Sequence, residues 1–267
     1  AKQITFGDKR DADPMVSPDG NHLAFASNRT GAFNLYLITF GQEGVLQLTQ
    51  GKKDDRNPCW AADNKTIIFD SKRTGNGDLY QMTRDASTGF LQLTDLEEVE
   101  SNPWCSLKSN ALLFAVGPKR LIKLHDKMDV AYAGNRNSAV SRQILGEGVM
   151  PRFSPDGKNI VFVSRRTKNK DIWRMNVDGA LPTQLTTDPK DDEDPAYSPD
   201  GKFIIFTSAR TGNQDLWVMN ADGGNQRQLT STPENESSPY WSVGGFIYFV
   251  KSAESGKSTI WRITAPK

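Results

Sequence analysis

The chain has 267 residues, of which 33 are basic and 32 acidic, so its formal net charge is +1. A charge this close to zero creates no global field toward nucleic acid or a membrane surface, and any electrostatic site has to be local. Hydrophobic residues make up 36% of the chain, and no apolar run reaches the about 20 residues of a spanning helix. These values exclude the disordered and helical membrane classes.

One repeat recurs six times along the chain, and each copy begins at an anchor proline. The prolines are Pro14, Pro58, Pro103, Pro151, Pro195 and Pro239. Their spacing of about 44 residues lies in the range of propeller blades. A phenylalanine follows each proline at a nearly constant distance: Phe25, Phe69, Phe114, Phe162, Phe206 and Phe249. Five copies then add a larger ring: Tyr36, Tyr80, Trp173, Trp217 and Trp261. We expect these rings to pack between blades.

Within each copy the elements follow one order. A first strand contains the proline, and SPDG turns into a second strand such as NIVFVS. RTG then leads to a third strand such as DLWVM, and a DG turn leads to a fourth such as RQLT. Short β-branched and aromatic runs bounded by turn residues are typical of strands. Each copy is therefore predicted to be a four-stranded antiparallel sheet.

The two ends of the chain are predicted to share one blade. The last copy stops after its third strand, TIWRIT, while the chain begins with KQITFG, which is similar to the fourth-strand segments LQLTQG and RQLTST. Residues 1–6 should complete the last blade and remove an exposed edge. The fold class is thus an all-β, six-bladed β-propeller in one domain, 1–267. Its predicted blades are about 7–50, 51–95, 96–146, 147–187, 188–231 and 232–267.

The repeat motif resembles that of a known family. DxxPxxSPDG, followed by IxFxSxRTG, a DLW or DLY strand and QLT, is similar to the TolB-like propeller repeat, a relative of WD-type repeats. The resemblance covers nearly the whole chain, and the third copy (101–145) is the least regular. It implies a periplasmic protein, its signal peptide removed, that binds a protein or peptide at its loop face and channel mouth, with Ca²⁺ in the channel. TolB itself carries a further N-terminal domain, so a stand-alone propeller is expected here.

Acidic residues recur three positions before the anchor prolines. They are Asp11, Asp55, Glu100, Asp192 and Glu236, and Gly148 is the exception. Strand alternation would point the residue directly before each proline the same way. Those residues are Asp13, Asn57, Asn102, Asp194 and Ser238, with Met150 in the fourth copy. In a closed propeller both sets would converge near one axis, where like charges raise one another's proton affinity.

Two ligands would relieve that repulsion. One is a hard cation such as Ca²⁺, for which the five acids are the candidate ligands. The other is a basic segment of a partner, for which the residues directly before the prolines are the candidate binding set.

A structural alternative for the acids stays open. Arginines follow four of the second strands (Arg29, Arg73, Arg166 and Arg210), and each could pair with an acid of a neighbouring blade as a repeated bridge. Pro118 and Glu254 replace the arginine in copies three and six. Ligand contacts are therefore expected first at Glu100 and Glu236.

The remaining candidates have mainly structural interpretations. His22 and His125 lie in different parts of the repeat, so neither a catalytic triad nor a zinc site is predicted. Cys59 and Cys105 lack CxxC spacing and are expected to be unpaired core thiols. The segment 119–138 replaces the RTG turn and the regular third strand of the third copy. It is expected to be an irregular connection that either carries specificity or reflects sequence drift.

The sequence predicts a binding protein and not an enzyme. We expect a monomeric, non-enzymatic propeller with a protein or peptide partner, without nucleic acid and without membrane insertion. The alternative is a propeller domain that accompanies a peptidase or a carbohydrate-active enzyme. That alternative would need a separate hydrolase domain or a histidine cluster, whereas this sequence consists of the repeats and contains two histidines.

Overall fold

The computed structural model describes residues 1–124 and 142–266. These residues form six four-stranded antiparallel sheets. Five sheets each consist of consecutive strands, and the sixth joins the last three strands of the chain to its first. The fold class is therefore the predicted six-bladed β-propeller, with the N-terminal strand in the last blade. The described residues include no helix that is long and apolar enough to cross a membrane.

The strands of the first three blades have the following bounds. Blade one contains β2 (Asp11–Val16), β3 (His22–Thr30), β4 (Ala32–Thr39) and β5 (Leu46–Gln47). Blade two contains β6 (Asp55–Trp60), β7 (Thr66–Ser71), β8 (Asp78–Thr83) and β9 (Leu91–Gln92). Blade three contains β10 (Glu100–Cys105), β11 (Leu112–Val116), β12 (Arg120–Leu124) and β13 (Arg142–Glu147).

The other three blades repeat this arrangement. Blade four contains β14 (Val149–Phe153), β15 (Asn159–Ser164), β16 (Asp171–Asn176) and β17 (Thr183–Gln184). Blade five contains β18 (Asp192–Tyr197), β19 (Phe203–Ser208), β20 (Asp215–Asn220) and β21 (Arg227–Gln228). Blade six contains β22 (Asn235–Trp241), β23 (Phe246–Ser252), β24 (Ser258–Thr264) and β1 (Lys2–Gln3).

Contacts divide the chain into two compact units. One unit comprises residues 1–14 and 152–267 and the other residues 15–151. The first holds blades five and six and most of blade four, and the second holds blades two and three and most of blade one. The single domain over 1–267 stays a prediction, and the two units are described separately below.

The phenylalanines of the repeat are buried on the second strands of the blades. All six are at most 1% exposed: Phe25, Phe69, Phe114, Phe162, Phe206 and Phe249. Each lies on the second strand and, in five blades, directly opposite the tyrosine or tryptophan of the third strand; an example is the pair Phe206 and Trp217. Burying these rings removes the largest apolar surfaces of the repeat from water, which drives the packing of each sheet.

The threonine of each QLT segment attaches the outer strand to the third strand. Its hydroxyl accepts a hydrogen bond from a backbone amide of the third strand, as Thr94 does from Leu79 at 2.8 Å. In the last blade Thr5 accepts the corresponding bond from Ile260 at 2.9 Å. The segment KQITFG thus repeats the QLT contact, and this confirms that the N-terminal strand completes the last blade.

The two cysteines form a disulfide, so the prediction of unpaired thiols was wrong. Cys59 on β6 and Cys105 on β10 are bonded, with their Cα atoms 5.8 Å apart. They are near-equivalent positions of two consecutive copies, and this places them on the first strands of blades two and three. The prediction was based on CxxC spacing, which detects only cysteines close in sequence, whereas Cys59 and Cys105 are 46 positions apart.

The third blade is more regular than the sequence suggests. Residues 120–124 form a third strand that pairs with β11 at five consecutive positions, from Leu112 with Leu124 to Val116 with Arg120. The expected irregular connection over 119–138 is therefore wrong for its first part. His125 and the remainder of that segment lie outside the described residues.

Candidate functional site

The residue directly before each anchor proline has left-handed backbone geometry. Its φ lies between 49° and 53° in all six copies: Asp13, Asn57, Asn102, Met150, Asp194 and Ser238. Asn and Asp tolerate this region better than most residues, which explains why they recur there. The strand pairing shifts register at this point, for example between Arg56 and Cys59, as a β-bulge does.

The bulge breaks the alternation on which one prediction depended. Regular alternation would have pointed the acid and the residue before the proline to the same side. Asp192 is instead fully buried, whereas Asp194 is half-buried. The five acids proposed as Ca²⁺ ligands (the metal set) and the residues directly before the prolines (the partner set) therefore have different surroundings.

Residues of the partner set join the first strands of consecutive blades. In the unit of residues 152–267, the backbone amide of Ser238 donates to Oδ2 of Asp194 at 2.8 Å. In the unit of residues 15–151, Asp70 accepts from Nδ2 of Asn57 at 2.7 Å and from the backbone amide of Asn102 at 3.0 Å. These side chains have structural partners at the site where the sequence predicted ligand contacts.

All five residues of the metal set are buried, with exposed fractions of 4% or less: Asp11, Asp55, Glu100, Asp192 and Glu236. Asp55 accepts two hydrogen bonds of 3.0 Å from the guanidinium of Arg73, together with one from the hydroxyl of Ser71. Asp192 accepts a bond of 2.8 Å from Arg210. Both arginines belong to the same blade as their acid, so the expected bridge to a neighbouring blade was wrong for these two pairs.

Glu236 is held without an arginine. Its carboxylate accepts hydrogen bonds from the hydroxyls of Thr230 and Thr232 and from the backbone amide of Leu216. Burial raises the pKa of Glu236 above its ordinary value, and nearby Asp215 adds to that rise, while the three donors oppose it. The carboxylate therefore protonates more readily in the folded protein than in the unfolded chain.

A second set of aspartates, which the sequence analysis did not single out, lies beside the first. Asp78, Asp171 and Asp215 begin the third strands of blades two, four and five and are 1% exposed. Burial raises the pKa of Asp171, and the charge of Asp192 on the next blade adds to the effect. The D that opens the DLY, DIW and DLW strands marked these residues in the sequence, but it was interpreted only as the start of a strand.

Hydroxyl groups hold the second set. In blades two, four and five the threonine of the RTG or RTK turn donates to the aspartate, as Thr167 does to Asp171 at 2.6 Å and Thr211 to Asp215 at 3.2 Å. The glutamine of the QLT segment adds a donor, with Gln184 at 3.1 Å from Asp171. The threonine, aspartate and glutamine of the motif therefore form hydrogen bonds with one another within one blade.

Arg152 provides a positive charge that the sequence analysis missed. It follows the anchor Pro151 directly, and it is half-buried. Burial lowers the pKa of its guanidinium to about 10, whereas the charges of Asp194 and Asp13 oppose that shift. Burial likewise raises the pKa of Asp194, which Arg152 partly counteracts. The guanidinium of Arg152 therefore lies near two carboxylates for which the sequence analysis predicted a basic segment of a partner.

The described carboxylates fit a calcium site poorly as a set. Among residues 1–124 and 142–266, no group of three or more His, Cys, Asp or Glu is arranged to hold a metal ion. Ca²⁺ takes six to eight oxygen ligands. Asp55 and Asp192 already bind arginines, so a cation at either one would have to displace a guanidinium.

The comparisons with known proteins concern the whole fold. A family model described as "TolB beta propeller domain" matches residues 3–136 and 130–266. A search among curated proteins found no match. Among solved structures, a TolB from Agrobacterium tumefaciens is 18% identical, with a TM-score of 0.68 over 97% of this chain and 91% of that one.

Two further structures are similar in fold. TolB from Acinetobacter baumannii is 19% identical with a TM-score of 0.66, and the match covers 98% of this chain and 65% of that one. An oligogalacturonate lyase from Vibrio parahaemolyticus is 14% identical with a TM-score of 0.62, over 98% and 81% of the two chains. At these identities the structural likeness shows the fold alone.

Proposed function

The chain belongs to the TolB β-propeller family, and from that premise we propose that it is a non-enzymatic protein that binds a protein or peptide partner. The proposed binding site is centred on Arg152, Asp13 and Asp194, which belong to one unit. The partner segment is proposed to be basic, because two carboxylates there face one guanidinium.

The observation that carries this proposal is the charge arrangement around Arg152. Asp13 and Asp194 both interact electrostatically with its guanidinium, and all three residues are half-buried. Glu193, next to Asp194, is already paired with Lys170. Two carboxylates thus act on one guanidinium here, and complementary charge favours association with a basic segment.

The experiment compares binding by charge-matched variants. Chemical cross-linking in an extract of the source cells, followed by mass spectrometry, would identify a candidate partner, and calorimetry with the purified partner would then measure its affinity. Asp194→Asn should weaken binding by about tenfold, a loss of about 1.4 kcal/mol. Asp222→Asn is the matched control, because this exposed turn residue removes the same charge elsewhere. If Asp194→Asn and Asp13→Asn both bind as tightly as the parent, the partner site lies elsewhere.

We further propose that this chain performs no catalysis of its own. Both ring nitrogens of His22 are engaged in hydrogen bonds, to Thr39 and Arg84, which makes this histidine a poor general base. The purified protein should therefore not turn over ester, peptide or glycoside substrates above background. Activity that disappears in His22→Gln would contradict the proposal.

Calcium binding stays a prediction, and the geometry favours a structural role for three of the five acids, Asp55, Asp192 and Glu236. Asp55 and Asp192 have their guanidinium partners, and Glu236 has three hydrogen-bond donors. Calorimetric titration with Ca²⁺ would decide between the two roles. A ligand that binds only the folded state raises the melting temperature. A Ca²⁺-dependent rise of the melting temperature that disappears in an Asp55→Asn, Asp192→Asn double variant would identify these acids as Ca²⁺ ligands.

The disulfide supports the proposed periplasmic location. Structural disulfides persist in oxidising compartments and are rare in the reducing cytosol. The bond between Cys59 and Cys105 is buried, as expected for a cross-link that contributes to the fold. Fractionation of the source cells, with alkylation of free thiols before lysis, would test this: an unalkylated, exported protein is expected, and a cytosolic protein with both thiols alkylated would contradict it.

A further inference from the structure

A single histidine joins blades one and two within the unit of residues 15–151. His22 begins the second strand of blade one, and its Nδ1 lies 3.1 Å from the hydroxyl of Thr39. Its Nε2 lies 2.6 Å from Nη1 of Arg84, which follows the third strand of blade two. The imidazole also stacks on Trp60 of blade two, with ring centroids 6.1 Å apart.

The chemistry of the two partners fixes the protonation of the ring. A guanidinium only donates hydrogen bonds, so Nε2 of His22 must offer its lone pair to Arg84. The ring proton then lies on Nδ1, where Thr39 can accept it. This arrangement needs the neutral imidazole in one tautomer, because a proton on Nε2 would point at the guanidinium and place two positive charges side by side.

Two other contacts cross the same joint. Nε1 of Trp60 donates to the backbone oxygen of Met15 on blade one at 3.0 Å, and the backbone amide of Asp19 donates to Oδ1 of Asn64 on blade two at 2.8 Å. The histidine, the indole and the turn at Asp19 therefore hold one stretch of the interface together.

The charged groups that face the ring are Arg84 and Asp19, whereas Thr39 and Trp60 contribute no charge. Burial lowers the pKa of His22 below its ordinary value and Arg84 lowers it further, while Asp19 opposes both effects. Burial and the guanidinium thus outweigh the carboxylate, in agreement with the hydrogen-bond geometry.

We propose that the His22–Arg84 contact is a pH-sensitive latch between blades one and two, closed while the imidazole is neutral and opened when Nε2 takes a proton. Opening separates the ring from the guanidinium and loosens the adjacent Trp60–Met15 hydrogen bond. The latch acts in mildly acidic solution, where histidine gains its charge and the paired carboxylates keep theirs. It does not depend on partner binding at Arg152.

The first test is a histidine titration by NMR with ¹⁵N-labelled imidazole. The chain contains two histidines, so His125→Gln assigns the signals. His22 should be neutral with its proton on Nδ1 and should titrate below about 6.5. Arg84→Gln should return its midpoint toward that value. Lys65→Gln removes one positive charge from an exposed position of the same blade and should leave the midpoint unchanged. An equal midpoint in the parent and Arg84→Gln would overturn the proposal.

The second test follows the joint itself through hydrogen exchange of the Trp60 indole N–H. Its protection factor, corrected for the intrinsic rate at each pH, should fall between pH 7.5 and pH 5.5. Over this range the fall should be at most about tenfold, because the open state gains its proton near the ordinary histidine pKa of about 6.5. His22→Gln keeps an oxygen to accept from Arg84 but cannot titrate, so its protection should be independent of pH. An equal fall in His22→Gln would show that His22 is not the switch.

Discussion

The arginine of each RTG or RTK turn braces its own blade through several contacts. Its Nε donates to the serine that ends the second strand, as in Arg73 with Ser71 at 2.9 Å and Arg210 with Ser208 at 2.8 Å. Its guanidinium lies over the aromatic ring of the third strand, 4.5 Å from the centroid of Trp217 in blade five. In blades two and five it also binds the buried acid of the first strand. One residue therefore connects three strands.

Removing Arg210 should be costly because it leaves the carboxylate of Asp192 in the interior. Asp192 is 0% exposed, and loss of one partner of a buried ion pair costs about 3–5 kcal/mol. Arg210→Met should lower the free energy of unfolding by about that amount in urea. The exposed Arg227→Met is the control, expected within about 0.5 kcal/mol of the parent. Adding Asp192→Asn to Arg210→Met should recover part of the loss; a double variant less stable than Arg210→Met alone would contradict the brace.

Glu236 should make stability depend on pH in the opposite sense to a salt-bridged acid. Burial raises its folded pKa above the unfolded value, so the folded state holds the proton more tightly. The resulting stabilisation is present at acidic pH and is lost as the pH rises through the raised folded pKa. Glu236→Gln, which cannot ionise, should therefore gain stability relative to the parent as the pH rises from 4.5 to 7.5. Urea unfolding at several pH values measures this difference; a constant difference would show that burial does not control this carboxylate.

The sequence identified the charged positions but not their geometry. Five acids at one repeat position were visible without a structure, and their burial follows from the position on the first strand. The left-handed bulge before each proline was not predictable from alternation, and it gives the residue before the proline different surroundings from the acid. Arg152 was missed because only the fourth copy has an arginine directly after its anchor proline, and a comparison of the copies identifies only residues that recur at one position.

At the level of the strand, the outer edge of each blade depends on a few side-chain bonds. In five blades the outer strand pairs over only two residues, as β9 does with β8 through Tyr80 with Gln92 and Gln81 with Leu91. Short edge strands protect a sheet against pairing with other chains. The QLT threonine compensates for the short pairing by accepting a buried amide of the third strand. β13 is the exception, with six residues.

The sequence was most informative at this level. Turn residues bounded the strands, and the similarity of KQITFG to LQLTQG identified the partner of the N-terminal strand, because the same threonine contact recurs in five blades. The third strand of blade three was not recognised, since Arg120–Leu124 lacks the DLW letters although it pairs like its counterparts.

Loss of the N-terminal strand should destabilise the last blade strongly. Deleting residues 1–6 removes the acceptor of the Ile260 amide, the bond of Gln3 to the oxygen of Thr5, and the pairing of Lys2 with Arg262. The melting temperature should fall by about 5–10 °C. Thr5→Val, which removes only the acceptor, should cost about 1–3 kcal/mol, and the exposed Lys2→Ala should cost little. A truncated protein that melts within about 2 °C of the parent would contradict closure by this strand.

At the scale of the whole molecule, the repeat period and the closing strand were sufficient to predict the fold class. The strands of each blade pair with one another, so the letters of one repeat describe one sheet. Contacts between copies follow different rules. The disulfide links residues on two first strands, and His22 meets Arg84 from the next copy. Neither contact repeats, so a comparison of copies could not reveal them.

The disulfide should contribute strongly to the stability of the unit of residues 15–151. Cys59 and Cys105 close a loop with a sequence separation of 46, and in the chain-entropy model such a loop contributes about 4 kcal/mol by restricting the unfolded chain. Reduction should therefore lower the free energy of unfolding by about 2–4 kcal/mol. A Cys59→Ala, Cys105→Ala double variant should show the same loss and no further response to a reducing agent.

Because the bond joins first strands of blades two and three, hydrogen exchange should accelerate there and remain unchanged in β19 and β23 of the other unit. Urea unfolding and exchange measured with and without reducing agent test both parts, and equal stability of the reduced and oxidised protein would show that packing between the two blades is sufficient without the bond.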